Sequence, residues 1–440
     1  MVSLGCPKNT VDTELVLGDL LENGYEITPR QEEADIIIVN TCGFIEASKR
    51  ESIDAILEMA ALKSKGRCKK LVVTGCLSER YNDELLKEIP EIDHMLGVNQ
   101  YPQLKHILRN TSDSSRRAAS PNHVNDPAEY FESYMHRVLT TPFYTAYLKI
   151  GEGCSNQCAF CIIPKIRGRF RSRSQESVVT EARHLARRGV KEFNLVSQDT
   201  TMYGIDLRVK NGLIRLLQSL AKIDGVEWLR LFYCYPTFIN SDLIEYIASE
   251  EKVCNYIDVP LQHAHDVMLK RMKRQETEKE VRRMIEELRQ KIPDIALRTT
   301  FITGFPGETE TQFRHLLEFV REIKFDHVGV FTYSHEEGTT AYDYPDLVSH
   351  EIAVERKDEL MRVQQEICRE KNKARVGEVL PVLVEGTDSE EEYLVTGRLT
   401  TQAPEIDGQV IIEASEVDPG QIVPMRITGS TDYDLIACLA

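Results

Sequence analysis

The sequence has 440 residues, of which 42% are hydrophobic and 28% charged, and it carries a formal net charge of −16. This length predicts roughly three domains, and so acidic a chain is not expected to bind nucleic acid through its overall charge. Its apolar runs are far shorter than the roughly 20 residues of a membrane span and no secretory leader is recognisable, so we expect a cytoplasmic protein without a membrane partner.

Residues 1 to 110 alternate short apolar segments with segments of helical periodicity. Strands are predicted at residues 2–4, 35–40 and 71–74, and helices at residues 11–21, 47–63 and 79–88. Continuous apolar strands separated by helices are typical of a parallel sheet that is covered on both faces. We therefore predict an α/β fold in which residues 1–110 form a doubly wound parallel-sheet domain.

Each of these three predicted strands leads to a cysteine: Cys6, Cys42 and Cys76. The carboxyl ends of neighbouring strands in an open α/β sheet converge on one crevice, so we expect the three thiols to meet there and to bind metal. Ordinary buried cysteines are the alternative interpretation. The odd total of eleven cysteines also favours reduced thiols over a disulfide framework.

The middle of the chain repeats the strand-helix alternation at a longer period. Residues 111–140 are polar turn-formers and predict a linker. Residues 141–372 contain six predicted strands, at residues 144–150, 192–196, 228–233, 256–259, 297–302 and 326–333. Six such units predict an open, partial (βα)6 barrel of the TIM type, which places its chemistry on the loops at the carboxyl ends of the strands.

The first of these six strands leads into Cys154, Cys158 and Cys161, which have CxxxCxxC spacing. Thiolate is a soft ligand, and such tight local spacing favours an iron-sulfur cluster over a single hard cation. Three thiolates leave one iron of a four-iron cluster open to a substrate. A zinc knuckle is the alternative, but zinc sites usually close with a fourth Cys or His nearby, and the next histidine, His184, is distant.

A basic run follows the three cysteines, with a cation at every second position: Lys165, Arg167, Arg169, Arg171 and Arg173. Strand spacing would align these cations on one face, where they could hold a carboxylate through forked hydrogen bonds. A solvated basic edge is the alternative. His263 and His265 have the chemistry of proton relays, but no paired acid fixes their role, so no catalytic residue is assigned.

Residues 373–440 change character. Short strands are predicted at residues 379–384, 392–398, 409–412 and 422–427, between turns rich in Gly, Asp and Pro, which indicates a small antiparallel β-barrel. From residue 372 onward, four Lys or Arg face thirteen Asp or Glu, a balance of −9. We expect this barrel to attract a basic polypeptide; the plain alternative is that the acids only aid solubility.

These motifs together resemble the radical S-adenosylmethionine (SAM) methylthiotransferases over nearly the whole chain. The resemblance rests on Gly5-Cys6-Pro7-Lys8-Asn9, Asn40-Thr41-Cys42, Thr74-Gly75-Cys76, the CxxxCxxC motif with its aromatic residue before the third cysteine, and the terminal barrel, which resembles a TRAM domain. Together these motifs are highly specific for the family.

Within the family, three segments are similar to the branch that modifies the small-subunit ribosomal protein S-twelve. They are the opening residues 3–9, the loop at residues 197–201 and the barrel motif at residues 403–408. The tRNA-directed branch, MiaB, usually has Gln and Met in place of Pro7 and Lys8. His265 and His335 stand where the family more often has Ser and Pro.

The resemblance implies insertion of a methylthio group at the β-carbon of an aspartate in ribosomal protein S-twelve. It implies two 4Fe-4S clusters, a radical-generating one on Cys154, Cys158 and Cys161 and an auxiliary one, which carries the sulfur, on Cys6, Cys42 and Cys76. SAM would serve both as methyl donor and as the source of a 5′-deoxyadenosyl radical. The predicted SAM contacts are Phe160, Gln198 and Arg298.

The implied partners are the basic ribosomal protein, which the acidic barrel would receive, and a low-potential electron donor such as flavodoxin or ferredoxin. A tRNA substrate is not expected. Two alternatives stay open. A tRNA adenosine methylthiotransferase would use the same clusters, and a non-enzymatic iron-sulfur electron carrier would take electrons without cleaving SAM.

Overall fold

The computed structural model describes residues 1–110, 121–124, 137–387, 395–413 and 417–440. Most of the predicted linker, and the first residues of the strand predicted at 392–398, therefore lie outside the described residues. In the described part of the chain, no helix combines the length and the hydropathy needed to cross a lipid bilayer.

Residues 1–110 form a four-stranded parallel sheet with four helices. The strands, in the order β1-β2-β3-β4, are β1 (Val2–Ser3), β2 (Ile36–Thr41), β3 (Lys70–Gly75) and β4 (His94–Met95). The helices are α1 (Pro7–Glu22), α2 (Glu46–Lys65), α3 (Cys76–Glu88) and α4 (Tyr101–Asn110). Helix α1 begins four residues before its predicted start, because proline is favoured in the first turn of a helix.

Both faces of this sheet are covered. Ile37 and Leu71 pack against α2 and α3, whereas Ile38 and Val72, one position further along, pack against α1 and α4. Successive side chains of a strand point to opposite faces, so continuous apolar strands were the correct signal. The predicted doubly wound parallel sheet is confirmed.

The central region is an open sheet of six parallel strands in the order β12-β11-β10-β9-β8-β5. These strands are β5 (Thr145–Lys149), β8 (Glu192–Val196), β9 (Trp228–Leu231), β10 (Val253–Asp258), β11 (Ala296–Thr303) and β12 (His327–Thr332). A short antiparallel hairpin, β6 (Gly151–Glu152) with β7 (Arg171–Ser172), follows β5. The six long strands confirm the predicted partial (βα)6 barrel.

Helices of this region separate the strands, and most of them begin with a side-chain cap. They are α5 (Ile163–Arg167), α6 (Gln175–Arg187), α7 (Gly212–Ala221), α8 (Ser241–Ser249), α9 (Asp266–Arg271), α10 (Glu278–Lys291), α11 (Glu310–Ile323) and α12 (His350–Ala374). In five of them a side-chain oxygen accepts the N–H of the third helical residue, from Ser174, Asn240, Thr277, Thr309 and Ser349. Such caps satisfy backbone donors that the helix itself leaves free.

The C-terminal strands close into a barrel in the order β13-β14-β15-β17-β16. They are β13 (Val379–Thr387), β14 (Val395–Leu399), β15 (Val410–Ile412), β16 (Ile422–Ser430) and β17 (Leu435–Leu439). All neighbours pair antiparallel except β15 and β17, which pair parallel. The predicted small barrel is confirmed, and β17, which the strand prediction omitted, completes it.

A buried ion triad fixes the barrel on the central sheet. Glu192 of β8 binds Arg398 of β14 at 2.6 Å and Arg230 of β9 at 3.0 Å. Burial alone would raise the pKa of Glu192, but the two guanidinium groups lower it to about 2. A buried charge without its partner is strongly destabilising, so this triad defines how the barrel docks.

Candidate metal centres and their surroundings

Cys6, Cys42 and Cys76, here called the strand-end trio, follow β1, β2 and β3. Cys6 caps α1, Cys42 follows β2 directly, and Cys76 is the first residue of α3. The last residues of β2 and β3 pair with each other, and a Cβ added to Gly5 would lie 3.1 Å from Cys42 Sγ. The structure therefore brings the three predicted positions to one end of the sheet.

The thiols of the strand-end trio also act on one another electrostatically. Burial raises the pKa of Cys76 to about 12, Arg167 opposes this shift, and negative charge on Cys42 and Cys6 adds to it. Burial likewise raises the pKa of Cys42. Metal coordination deprotonates a thiol outright, so these groups would release protons as they bind a metal.

Two glycines make the close approach of these strand ends possible. Gly5 and Gly75, which directly precede Cys6 and Cys76, have φ angles of 94° and 101°. A Cβ at residue 75 would lie 2.4 Å from the carbonyl oxygen of Thr41. Only glycine combines that backbone conformation with that contact, which gives the Gly-Cys pairs of the sequence a structural cause.

Two asparagines of the sequence motifs tie the same strand ends to α1. The amide group of Asn9 donates to the carbonyl oxygens of Leu4 and Thr41, at 2.9 and 3.1 Å. The amide group of Asn40 donates to the carbonyl oxygen of Asn9 and to the hydroxyl of Thr13, both at 3.0 Å. These hydrogen bonds hold the Cys6 and Cys42 segments in one arrangement, and the β2-β3 pairing adds the Cys76 segment.

Cys154, Cys158 and Cys161, here called the loop trio, lie in one loop between β6 and α5. The N–H of Cys154 donates to Gly168 O at 3.1 Å, and the N–H of Cys161 donates to Cys158 O at 3.1 Å. Burial is the main cause of a Cys154 pKa raised to about 12, and it also raises the pKa of Cys161.

The glycine before Cys154 has the same role as the two in the strand-end trio. Gly153 has a φ of 80°, and a Cβ there would lie 2.3 Å from the carbonyl oxygen of Arg169. The middle of the loop is fixed by Ala159, whose N–H donates to Met272 O and whose carbonyl accepts the N–H of Ala341, both at 2.8 Å. Backbone contacts within the central region therefore shape the loop trio.

Each trio receives hydrogen bonds from one buried arginine. Arg167 donates through Nε and Nη2 to Cys76 Sγ, at 3.4 and 3.3 Å. Arg274 donates through Nη1 to Cys158 Sγ at 3.7 Å, and its guanidinium lies 4.1 Å from the ring centre of Tyr235. Sequence reasoning missed Arg274, because no motif marks it and only the fold brings it to the loop trio.

The prediction that the basic run forms one cationic face is wrong. Lys165 and Arg167 belong to α5, and Gly168, the residue directly after this helix, has a φ of 72°. Arg171 belongs to the two-residue strand β7. Arg173 is fully buried and donates to Lys149 O and to Glu181. A helical turn and a hairpin interrupt the run, so its alternation does not put the cations on one side.

A buried ion network lies between the two trios; we call Asp12, Lys149, Glu152 and Arg167 the bridging network. Arg167 Nη1 lies 3.0 Å from Glu152 and 3.3 Å from Asp12. Lys149 pairs with both of the same carboxylates. Since Arg167 also binds Cys76 and Glu152 stands two residues before Cys154, this network joins the N-terminal sheet to the loop trio.

The three predicted SAM contacts lie in different surroundings. Phe160 packs edge-on against Phe305, with ring centres 6.5 Å apart. Gln198 donates to Glu152 at 2.9 Å, and its buried amide oxygen has no hydrogen-bond partner among the described residues. Arg298 donates to Asp258 at 3.1 Å and approaches Asp407 of the barrel motif at 3.4 Å.

His263 lies in a closed hydrogen-bond arrangement. Its Nδ1 accepts the N–H groups of Ala264 and His265, so Nε2 carries the proton that faces Glu308 at 3.2 Å. Glu308 is bound in turn by Arg356 at 2.7 Å. The paired acid that the sequence did not reveal is present, but it serves to hold the loop at the carboxyl end of β11.

In the described ranges, no three His, Cys, Asp or Glu side chains are grouped to enclose a single metal ion. A four-iron cluster has a different requirement, because each cysteine binds a different iron of the cube. Each trio offers three soft thiol donors and one arginine that donates to a sulfur. This donor set fits an iron-sulfur cluster.

Three family models match the chain in succession. Residues 1–97 match Uncharacterized protein family UPF0004, residues 148–320 match the Radical SAM superfamily, and residues 376–439 match the TRAM domain. The three matches fall on the N-terminal sheet, the central open barrel and the closed C-terminal barrel.

Curated relatives are similar over almost their full length. The chain is 51% identical to the ribosomal protein uS12 methylthiotransferase RimO of Geobacter sulfurreducens, covering 99% of this chain and 97% of that protein. It is 50% identical to the protein of the same name from Symbiobacterium thermophilum, covering 99% and 89% of the two chains.

A solved structure shares the fold at much lower sequence identity. It is the radical S-adenosylmethionine methyltransferase TsrM from Kitasatospora setae, with tryptophan substrate and a SAM analog bound. The TM-score is 0.57 at 14% identity, and the match covers 86% of this chain and 76% of that chain.

Proposed function

Because the chain belongs to the RimO family of ribosomal protein uS12 methylthiotransferases, we propose that it inserts a methylthio group at the β-carbon of an aspartate of uS12. The observation that carries this proposal is the pair of cysteine trios, which a buried ion network joins across two domains. The hydrogen on an aspartate β-carbon has no useful acidity, so the side chains of the protein cannot remove it by acid-base chemistry. A radical enzyme is required.

The radical SAM superfamily to which the central region belongs uses an iron-sulfur cluster and SAM. We propose two 4Fe-4S clusters, one held by Cys154, Cys158 and Cys161 and one held by Cys6, Cys42 and Cys76. When bound, clusters and SAM supply the radical, the sulfur and the methyl group. The donor chemistry of both trios supports this count, because each combines three thiols with an arginine N–H directed at one sulfur.

The protein's own residues hold and shield this chemistry. Arg167 and Arg274 donate charge-assisted hydrogen bonds to the thiol sulfurs, and such bonds stabilise negative charge on thiolate ligands. The bridging network fixes the spacing of the two trios. Since its ion pairs are buried, their geometry resists change.

We propose Phe160, Gln198 and Arg298 as contacts of SAM. Phe160 stands directly before Cys161, and Gln198 lies at the carboxyl end of β8, where barrels of this type bind their ligands. The unpartnered amide oxygen of Gln198 is a buried acceptor, which fits an amino or hydroxyl donor of the cofactor. Arg298 has a weaker basis, because its guanidinium is already engaged by Asp258 and Asp407.

For the partners, we propose that the acidic C-terminal barrel receives the basic ribosomal protein, and that a flavodoxin or ferredoxin supplies electrons in the cytoplasm. The barrel's net negative charge opposes binding to tRNA phosphates. We divide the chain into an N-terminal domain (1–110), a linker (111–140), a radical SAM core (141–372) and the barrel (373–440). Helix α12 runs to Ala374 and so crosses the last boundary.

The test is anaerobic incubation of the reconstituted protein with SAM, a reductant and either uS12 or unmodified tRNA, followed by mass spectrometry. We expect uS12 to gain a methylthio group in place of one hydrogen on an aspartate, and tRNA to stay unchanged. Methylthioadenosine in tRNA beside unmodified uS12 would reject the proposed substrate. Electron uptake without SAM cleavage would instead indicate an electron carrier.

A further inference from the structure

We propose that Lys8 binds the side-chain carboxylate of the target aspartate and so makes the enzyme select aspartate over a neutral residue. This inference rests on the proposed function, since it names the group of the substrate that one side chain recognises. The inference is drawn from the burial of the Lys8 ammonium, which destabilises the folded protein unless an anion binds to the ammonium.

Lys8 is a buried cation without a directly bonded anion, although the charges of Cys6, Glu152 and Asp258 act on it. It is 8% exposed, and its ammonium makes no hydrogen bond or ion pair with any residue that the structure describes. It is also the second residue of α1, where the helix dipole favours negative charge and disfavours a cation. An ammonium has three donors, and burying a charge is expensive unless it is paired.

The ammonium lies instead on an aromatic ring of the central region. Lys8 Nζ is 3.4 Å from the ring centre of Tyr233, a cation-π contact that holds the ammonium over the ring. The lysine thus reaches from the N-terminal domain into the core. Its position is set by a residue of the domain that carries the loop trio.

Tyr233 itself is held in an unusual backbone conformation. Its φ is 55°, the left-handed region that a bulky residue rarely adopts. The carboxylate of Asp258 at the end of β10 accepts its backbone N–H at 3.0 Å and keeps it there. Strain of this kind concentrates at ligand sites, so the Lys8-Tyr233 pair has the mark of a binding position.

All three domains meet at this ring. Burial raises the pKa of Tyr233, and the charges of Cys6, Asp258, Arg298 and Glu405 act on it as well. Those groups belong to the N-terminal domain, the core and the barrel. Glu405 is exposed in the loop between β14 and β15 of the barrel, the domain proposed to receive uS12, and its charge reaches the ring on which the Lys8 ammonium lies.

A competing role for Lys8 is to neutralise the cluster on the strand-end trio, because Cys6 is two residues away. That trio already has a dedicated cation, since Arg167 donates twice to Cys76. The charges of Lys8 and Cys6 do act on each other, but the ammonium lies over the Tyr233 ring of the core, at 3.4 Å. A carboxylate bound there would hold the β-carbon, which is bonded to the carboxylate carbon, at a fixed place, and a site built for a charged group rejects a neutral analogue strongly.

The test measures the affinity of anaerobically reconstituted protein for uS12 and for uS12 with asparagine at the target position. Lys8→Met removes the charge at similar length, Lys8→Arg keeps it, and Lys87→Met, at an exposed residue of α3, is the control. We expect wild type, Lys8→Arg and Lys87→Met to prefer the aspartate form, in wild type by at least about 30-fold. We expect Lys8→Met to bind both forms equally.

Iron content and the electron paramagnetic resonance spectrum of each protein separate the two roles of the charge. A Lys8→Met protein that keeps both cluster signals but loses the aspartate preference supports the proposal. If Lys8→Met still prefers the aspartate form, the proposal is wrong. If it keeps that preference and loses the signal of the auxiliary cluster, the charge of Lys8 serves that cluster. If wild type does not modify uS12 at all, the proposed function fails, and this inference fails with it.

Discussion

The two cysteine trios differ in how the chain assembles them. The loop trio comes from one short loop, whereas the strand-end trio comes from three separate strand ends that only the folded sheet brings together. One site is therefore a property of local sequence and the other a property of topology. The same ligand chemistry can be built in either way, but the two constructions depend on different contacts.

The supporting contacts follow this division. The loop trio is held by backbone hydrogen bonds to Gly168, Met272 and Ala341, all within the core. The strand-end trio depends on the β2-β3 register and on Arg167, which comes from another domain. Damage to the N-terminal sheet should therefore affect one trio alone.

The largest expected effects separate the trios by reaction step. Cys154→Ala should abolish SAM cleavage, because two thiolates do not hold a cluster whose open iron binds SAM. Cys76→Ala should leave SAM cleavage and stop methylthio insertion into uS12. The measurements are 5′-deoxyadenosine by liquid chromatography and modified uS12 by mass spectrometry.

Iron and sulfide quantitation on the same two variants provides the control. Each should retain one four-iron cluster where the wild type holds two. Undiminished SAM cleavage in Cys154→Ala would contradict the division of roles, and so would the loss of both clusters in either variant.

A glycine variant tests whether disturbing the pairing of β2 with β3 is enough to abolish the strand-end site. In Gly75→Ala the new Cβ would meet the Thr41 carbonyl oxygen at 2.4 Å, so β2 and β3 must separate and Cys76 must move. We expect loss of the auxiliary iron and a fall in unfolding free energy of about 2 to 4 kcal/mol, from the strained φ together with the clash.

Gly24→Ala is the matched control. Its φ of 84° is as unfavourable for alanine, yet a Cβ there has no atom within 4 Å. It should cost only about 1 to 2 kcal/mol and keep all the iron. Chemical denaturation and iron analysis measure both quantities, and equal iron loss in the two variants would show that strain, not displacement of Cys76, is responsible.

The difference between the two trios also explains which features could be predicted from the sequence. Apolar strands with cysteines at their ends predicted that Cys6, Cys42 and Cys76 would share one sheet edge, because parallel topology leaves few other arrangements. The six core strands were recognisable for the same reason. The role of Cys6, Cys42 and Cys76 as metal ligands remains a prediction.

Contacts between distant segments could not be predicted from the sequence. Arg274 reaches Cys158, Lys8 lies on Tyr233, and no periodicity links these positions. The basic run was misread because a proline-started turn and Gly168 determine its shape, and the alternation of charges does not. Pairings of this kind depend on side-chain packing across domains, which a local pattern does not encode.

The smallest expected effect concerns the two arginines, one for each trio. Each donates N–H groups to a sulfur, and such donors stabilise the more negative, reduced state of a cluster. Removing Arg167 should therefore lower the midpoint potential of the auxiliary cluster, and removing Arg274 should lower that of the radical-generating cluster. A shift on the order of 60 mV corresponds to a tenfold change in a one-electron equilibrium.

Arg167→Met and Arg274→Met form a crossed pair for redox titration followed by electron paramagnetic resonance. In Arg167→Met, Lys149 still pairs with Asp12 and Glu152, so the bridging network keeps a cation and the fold has a reason to persist. Each variant should shift one potential and leave the other in place. Equal shifts of both potentials would mean that each arginine acts on both clusters through long-range electrostatics. The two trios would then be a single site electrostatically, although the chain assembles them separately.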